Sequence, residues 1–400
     1  MVQNDGKVVL AGGTGAGNFG VARFMAEGDG LDGSFSGDGL SLVDMGSPSD
    51  RATALALQSD GKLVVAGEVQ GAWGLDVAVM RLNADGSLDP GFSGDGRAYF
   101  DLNHFKDDRV TAVAMQGSKI LVAGWVPEGA GTRFAVLRLN ADGSPDALFG
   151  SGGVKLVSFA PEGFASARAN ALLVSNGKII LAGRAEVNAN HWYFGVARLT
   201  SSGALDGSFS GNGLAAFSFA DFGACAVGFK NEAFALAADP GFMLVAPGSS
   251  ADRKLVVAGS SNACGSEDMA VARLHSNGAL DLSFSGDGKR TVGAAGADAA
   301  RAIRTSGGGC LPFPCATPKT ITLAGYRDGG VGGADFRAAR LRWDGALDGS
   351  FSGDGVLTTD FNGGLDRAYA LALHGNKLYL AGEARVGALY EFGVARYKTQ

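Results

Sequence analysis

The sequence predicts an all-β fold: a seven-bladed β-propeller of four-stranded antiparallel blades, with the first blade incomplete. Three observations lead there. A turn-rich nonapeptide, Leu31-Asp32-Gly33-Ser34-Phe35-Ser36-Gly37-Asp38-Gly39, returns at Leu88–Gly96, Pro145–Gly153, Leu205–Gly213, Leu280–Gly288 and Leu347–Gly355. Between its copies lie apolar runs of five to seven residues, long enough for a strand and short for a helix. The period of 55 to 76 residues suits a unit of four short strands. A β-solenoid, whose units are usually smaller, is the alternative. Residues 1–400 read as a single domain of such units.

Each unit divides into four pieces. Piece a follows the nonapeptide, as in Val356-Leu357-Thr358-Thr359-Asp360-Phe361. Piece b is Ala-rich, as in Arg51-Ala52-Thr53-Ala54-Leu55-Ala56-Leu57. Piece c is a Lys-led apolar run that ends at Gly12, Gly67, Gly124, Gly183, Gly259, Gly325 and Gly382. Piece d carries an arginine at Arg23, Arg81, Arg138, Arg198, Arg273, Arg340 and Arg396. Pieces c and d occur seven times and a and b six times, giving 26 candidate strands. If the strands alternate in direction, the a–b and c–d loops share one face, and the b–c loops and nonapeptides share the other. Two units are longer because the b–c connection has grown, through Asp239–Arg253 and Ser306–Pro318. These neighbours are expected on the nonapeptide face, either as a local cap or as tolerated surface loops.

At the N-terminus, Val2-Gln3-Asn4-Asp5-Gly6-Lys7 reads almost as Leu57-Gln58-Ser59-Asp60-Gly61-Lys62 does. The chain therefore begins inside a unit, and two strands of the first blade are expected to be missing. No signal peptide opens it.

Glycine supplies 65 of 400 residues, but at fixed places between apolar runs, as turn punctuation. The formal charge is −6, with 34 basic against 40 acidic residues, which argues against nucleic acid as a main partner. There is no basic run for an anionic membrane surface and no apolar run long enough for a transmembrane helix.

Four motifs recur in order: Leu-Asp-x-x-Phe-x-Gly-x-Gly, Asp-Arg-Ala-x-Ala-Leu-Ala, Asp-Gly-Lys-Leu-Val-Val-Ala-Gly and Phe-Gly-Val-Ala-Arg. Together they resemble the bacterial delta-60 repeat, a β-propeller domain of unknown function, over nearly the whole chain. The resemblance implies a propeller and an exported protein, extracellular or at the cell surface, whose export signal is absent from this chain. It implies no activity. Pro145, Leu148-Phe149-Gly150 and Lys230-Asn231-Glu232 depart from the pattern.

Candidate functional residues fall into four groups. The arginines of piece d are expected to pair with the first acid of each nonapeptide: Asp32, Asp89, Asp146, Asp206, Asp281 and Asp348. A half-buried guanidinium needs a carboxylate, and a feature repeated in every unit is architecture rather than a site. The turn Asn83-Ala84-Asp85-Gly86-Ser87-Leu88-Asp89, with Asp95, invites calcium, but its residues are also those tight turns require. No other cofactor is expected.

Cys225 and Cys264 share one face by parity, and Cys310 and Cys315 lie in one insertion on the other, so disulfides Cys225–Cys264 and Cys310–Cys315 are predicted. Trp73, Trp125, His191, Trp192, Tyr193, Tyr326 and Tyr390 gather on the c–d side, where exposed rings would suit a sugar or a protein partner.

Gly15-Ala16-Gly17-Asn18-Phe19-Gly20 matches a dinucleotide fingerprint, yet the same slot in other units holds unrelated residues, so it is a loop before strand d. His104, His191, His275 and His374 sit in unlike positions and form no triad or zinc spacing. The leading expectation is a non-catalytic, monomeric binding and scaffold module for an unidentified protein or glycan. Its alternatives are a calcium-binding propeller and a carbohydrate-active enzyme whose carboxylate pair would come from Glu128, Glu162, Glu186 or Glu383.

Overall fold

The computed structural model describes the chain except residues 27–29, 104–105, 221–227, 241–252, 264, 294–295, 308–317, 330–332, 362, 388 and 400. The chain divides into two compact units, Met1–Glu186 with Ala197–Asp206, and Val187–Val196 with Gly207–Gln400. Among the described residues there are 26 strands, no α-helix and one short 3-10 turn, at Ala160–Glu162.

The strands fall into sheets in chain order. β1 (Val8–Gly13), β2 (Phe19–Phe24) and β3 (Leu40–Val43) form a sheet of three. β4 (Arg51–Leu57), β5 (Leu63–Gln70), β6 (Leu75–Leu82) and β7 (Arg97–Phe100) form a sheet of four. β8 (Arg109–Gln116), β9 (Lys119–Glu128), β10 (Gly131–Leu139) and β11 (Val154–Val157) form another.

The next eight are β12 (Ser166–Ser175), β13 (Lys178–Asn188), β14 (His191–Leu199), β15 (Leu214–Phe217), β16 (Phe229–Ala238), β17 (Leu255–Ser261), β18 (Asp268–Leu274) and β19 (Lys289–Val292). They are hydrogen-bonded in one sheet, with order β12-β13-β14-β16-β17-β18-β19 and β15 beside β14. β20 (Ala297–Ser306), β21 (Thr320–Asp328), β22 (Ala334–Arg342) and β23 (Val356–Thr359) make a sheet of four. β24 (Arg367–His374), β25 (Lys377–Val386) and β26 (Leu389–Lys398) make a sheet of three.

The all-β propeller class stands, but the seven-bladed expectation is corrected. Five separate blades of three or four strands are present, and the other eight strands share a single sheet. At the start of β14, His191 and Trp192 run parallel to Phe229 and Lys230 of β16, so the backbone ladder continues there instead of breaking. The grouping of pieces also differs. A blade is b-c-d followed by the next a, because the nonapeptide folds a back onto d, pairing Val77 with Phe100 and Met80 with Arg97. The first sheet therefore lacks one strand, not two.

Strand c is the centre of each packed layer. In β5 every residue from Leu63 to Val69 is buried. Leu63, Val65 and Val69 pack with Val9, Phe19 and Val21, whereas Val64 and Ala66 pack with Val110, Ile120 and Val122. Successive side chains point to opposite faces. A strand covered on both faces reads as an unbroken apolar run, as this one does. Strand b carries a bulge in each blade, for instance between Ala52 and Ala54. The bulge brings the Arg51 carbonyl to 2.0 Å from where a Cβ on Gly67 would lie, so the Ala-Gly ending of piece c is a steric requirement.

Candidate functional site

The repeated turn is a fastening between units of the repeat. Arg Nε meets the turn carboxylate at 2.6–2.9 Å in Arg23–Asp32, Arg81–Asp89, Arg138–Asp146, Arg198–Asp206, Arg273–Asp281 and Arg340–Asp348. The lysine that leads strand c reaches the same carboxylate oxygen from Lys7, Lys62, Lys119, Lys178 and Lys254. The guanidinium then extends to the following turn: Arg23 Nη1 donates to the Ala84 carbonyl at 2.6 Å, and Arg81 and Arg138 donate likewise to Ala141 and Ser201. In the second unit Arg273 donates to the Trp343 carbonyl.

The turn's phenylalanine is wholly buried in Phe35, Phe92, Phe149, Phe209 and Phe284. Its ring lies against a left-handed glycine of the next turn, as Phe35 does against Gly86. The following serine takes positive φ, 54° at Ser36, and its amide donates to the Asp85 carbonyl at 2.6 Å. Arg396, in β26, is exposed.

These bonds hold the six turn aspartates as structural anions. Burial pushes Asp281 up, but hydrogen bonds from Lys254, Ser283 and Arg273 outweigh it and hold the carboxyl well below the usual range. Asp85 of the calcium-like turn accepts the Ser87 amide and hydroxyl at 3.0 and 2.6 Å, and Asp95 accepts the Arg97 amide at 2.9 Å. An open depression of about 490 Å³ in the second unit is lined by Arg273, Lys319, Trp343 and Asp348, three of which belong to the fastening.

The aromatic residues separate into two kinds. Trp73, in the β5–β6 loop, is 70% exposed, and Tyr390, in β26, is 54% exposed. Trp125 lies under the guanidinium groups of Arg109 and Arg168, and Tyr326 under those of Arg301 and Arg367. His191 and Tyr193 meet the edge of Phe229, and Lys230 lies over Trp192. Cys225, Cys264, Cys310 and Cys315 all fall outside the described residues, as do His104 and most of both insertions.

Of the glutamates expected for a catalytic pair, Glu128 is ion-paired with Arg133, and Glu186 with Arg184 at 2.6 Å. Glu383 accepts the Tyr369 hydroxyl at 2.6 Å. The carboxylates that do converge are different ones. Asp76 at the start of β6, Asp101 after β7 and Asp108 before β8 place one oxygen each within 4.8 Å of one another. Asp335, Asp360 and Asp366 do the same in the second unit.

Asp108 is wholly buried, and its carboxyl is pushed up to about 7 by burial, with Asp101 and Asp76 adding repulsion. Such a proton affinity would suit a general acid, but a side chain with no exposed surface reaches no leaving group. A sign of this trio lies in the repeat itself. Five residues before the strand-d arginine stand Asn18, Asp76, Arg133, Tyr193, Asp268, Asp335 and Glu391, so acids fill this column together with the other two in few units.

An all-β repeat protein fastened turn to turn is thus defined. Four segments, residues 58–92, 118–149, 175–209 and 250–284, match the family described as "Domain of unknown function (DUF5122) beta-propeller". No curated protein matches the chain in sequence. Among solved structures it is similar to Drosophila Semaphorin 2a, at 9% identity over 96% of this chain and 72% of that one, with a TM-score of 0.49. It is also similar to the GH93 α-L-arabinofuranosidase of Fusarium graminearum in complex with arabinobiose, at 11% identity over 86% and 92%, TM-score 0.47. A third is Sqt1 from Chaetomium thermophilum, at 12% identity over 94% and 90%, TM-score 0.46. Likeness at this level carries no functional argument.

Proposed function

We propose that this chain is a non-catalytic binding and scaffold module of an exported bacterial protein, built from repeats of the delta-60 type. It recognises a glycan or protein surface through its loops. The observation that carries the reading is Trp73: most of its large ring is open to solvent in the β5–β6 loop, while the blades beneath are fixed by repeated ion pairs. An exposed indole on a rigid frame suits a sugar face or a protein side chain. The disulfides Cys225–Cys264 and Cys310–Cys315 belong to the same reading of an oxidising compartment.

The test is a glycan array probed with and without calcium, using the parent chain and Trp73→Ala. Binding that falls at least tenfold in the variant is expected. Equal binding by both proteins, or cleavage of an arrayed glycan, would overturn the reading.

A further inference from the structure

The residue two places before the bulge of strand b is polar and buried in five strands: Asp50, Asp108, Asn231, Asp298 and Asp366. Burial of a carboxylate is costly unless its oxygens find partners, and the blades meet that requirement differently. Asp50 accepts the Met45 amide at 2.8 Å and the Ser47 hydroxyl. Asp366 accepts the Phe361 amide at 2.8 Å through one oxygen and the Arg385 amide at 3.2 Å through the other. Asp298 meets a buried cation, Arg337, at 3.1 Å. Asp108 accepts the Leu102 amide at 2.5 Å through Oδ2, but its buried Oδ1 has no partner.

Arg337 is particular to its own blade and has no counterpart in the blade of Asp108. Arg337 stands three residues before Arg340, and three residues before Arg138 stands Ala135. The nearest guanidinium along the chain, Arg109, is engaged by Glu68 and Asp107, each at 3.2 Å. Two further carboxylates, Asp76 and Asp101, converge on Asp108.

From this juxtaposition we propose that Asp76, Asp101 and Asp108 form a calcium site, in which the ion occupies the role Arg337 has beside Asp298. The donor set is all oxygen, as a hard cation requires, and oxygens within 4.8 Å of one another fit ligands about 2.3–2.6 Å from a shared ion. Asp101 is exposed and Asp76 half-buried, so the ion enters from the Asp101 side and Asp108 closes the inner one. The site lies beside the loop that carries Trp73, since a Cβ on Gly71 would meet the Asp76 carboxylate at 2.0 Å. In the related trio of Asp335, Asp360 and Asp366 both oxygens of Asp366 already accept amides, so that trio is the weaker of the two.

The test is calorimetric titration of the EDTA-stripped full chain with calcium chloride, paired with melting curves. One tight site and a rise of several degrees in melting temperature are expected. Asp108→Asn and Asp101→Asn should each weaken binding at least tenfold, while Asp95→Asn, in the exposed turn, leaves it unchanged. Asp101 is at the surface, so its variant folds even if that of Asp108 does not. No calcium-dependent heat or melting shift, full binding by Asp101→Asn, loss of binding in Asp95→Asn, or an equal response to magnesium would each overturn the proposal.

Discussion

Replacing Arg81 by methionine isolates the contribution of one turn fastening. The side chains of Arg81 and Asp89 are each only 7% exposed, and their atoms meet at 2.6 Å. Methionine keeps most of the volume and removes the charge, so Asp89 is left buried with Lys62 as its remaining cation, at 2.8 Å. The bond to the Ala141 carbonyl and the contact with the Phe92 ring go with it. Breaking a buried ion pair from one side costs about 3–5 kcal/mol. At roughly 2–4 °C per kcal/mol for a domain of about 200 residues, the first unit should melt about 10 °C lower. Arg342→Met is the reference, because the Arg342–Asp344 pair spans 3.6 Å with both side chains mostly exposed and should contribute under about 1 kcal/mol. Adding Asp89→Asn to Arg81→Met should recover part of the loss, read as a coupling energy above about 1 kcal/mol in a double-mutant cycle. Equal melting temperatures for Arg81→Met and Arg342→Met would refute the fastening as a source of stability.

Two further outcomes follow from the same turns. In Asp89, burial raises the pKa but hydrogen bonds from Lys62, the Gly91 amide and Arg81 prevail, so the folded value lies below the ordinary one. A lowered folded pKa gives stability that is complete above the unfolded value of about 3.9 and is lost as pH falls through the folded value. Circular dichroism should therefore hold from neutral pH to about pH 4 and collapse below it, with a shallower acid limb in Asp89→Asn; an unchanged limb would count against the assignment. Gly86→Ala should cost more than Gly94→Ala by about 1–3 kcal/mol in denaturant melts. Both glycines have φ near +90°, but only at Gly86 would the Cβ strike the Phe35 ring, at 3.0 Å, whereas Gly94 has nothing within 4 Å.

The all-β class was legible because strand length, glycine punctuation and period agree, and each has a direct local cause. The blade count was not legible, since it depends on where the backbone ladder breaks. Nothing in His191-Trp192 or Phe229-Lys230 announces that those segments run side by side. The assignment of piece a to the preceding blade was equally hidden, because hydrogen bonds between distant strands leave no periodic mark in either one.

The site shows the same division. The turn residues announce themselves by repetition. Asp76, Asp101 and Asp108 come from the start of one strand, the end of another and the approach to a third. They become a group only once the b-c-d-a order is known. Asp108 lies at the approach to strand b, in Asp108-Arg109-Val110, and its unpartnered oxygen leaves no mark in the sequence.

The reach of Arg23, Arg81, Arg138 and Arg273 into the following turn bears on how such a chain grows and shrinks. A repeat of this kind encodes both the cation it extends forward and the carbonyl it presents backward, as Arg81 and Ala84 do. A duplicated copy therefore arrives with matching connectors at both ends. Copies can be gained or lost by unequal recombination without compensating changes in their neighbours, and near-identical sequence in adjacent repeats is the record such a history leaves.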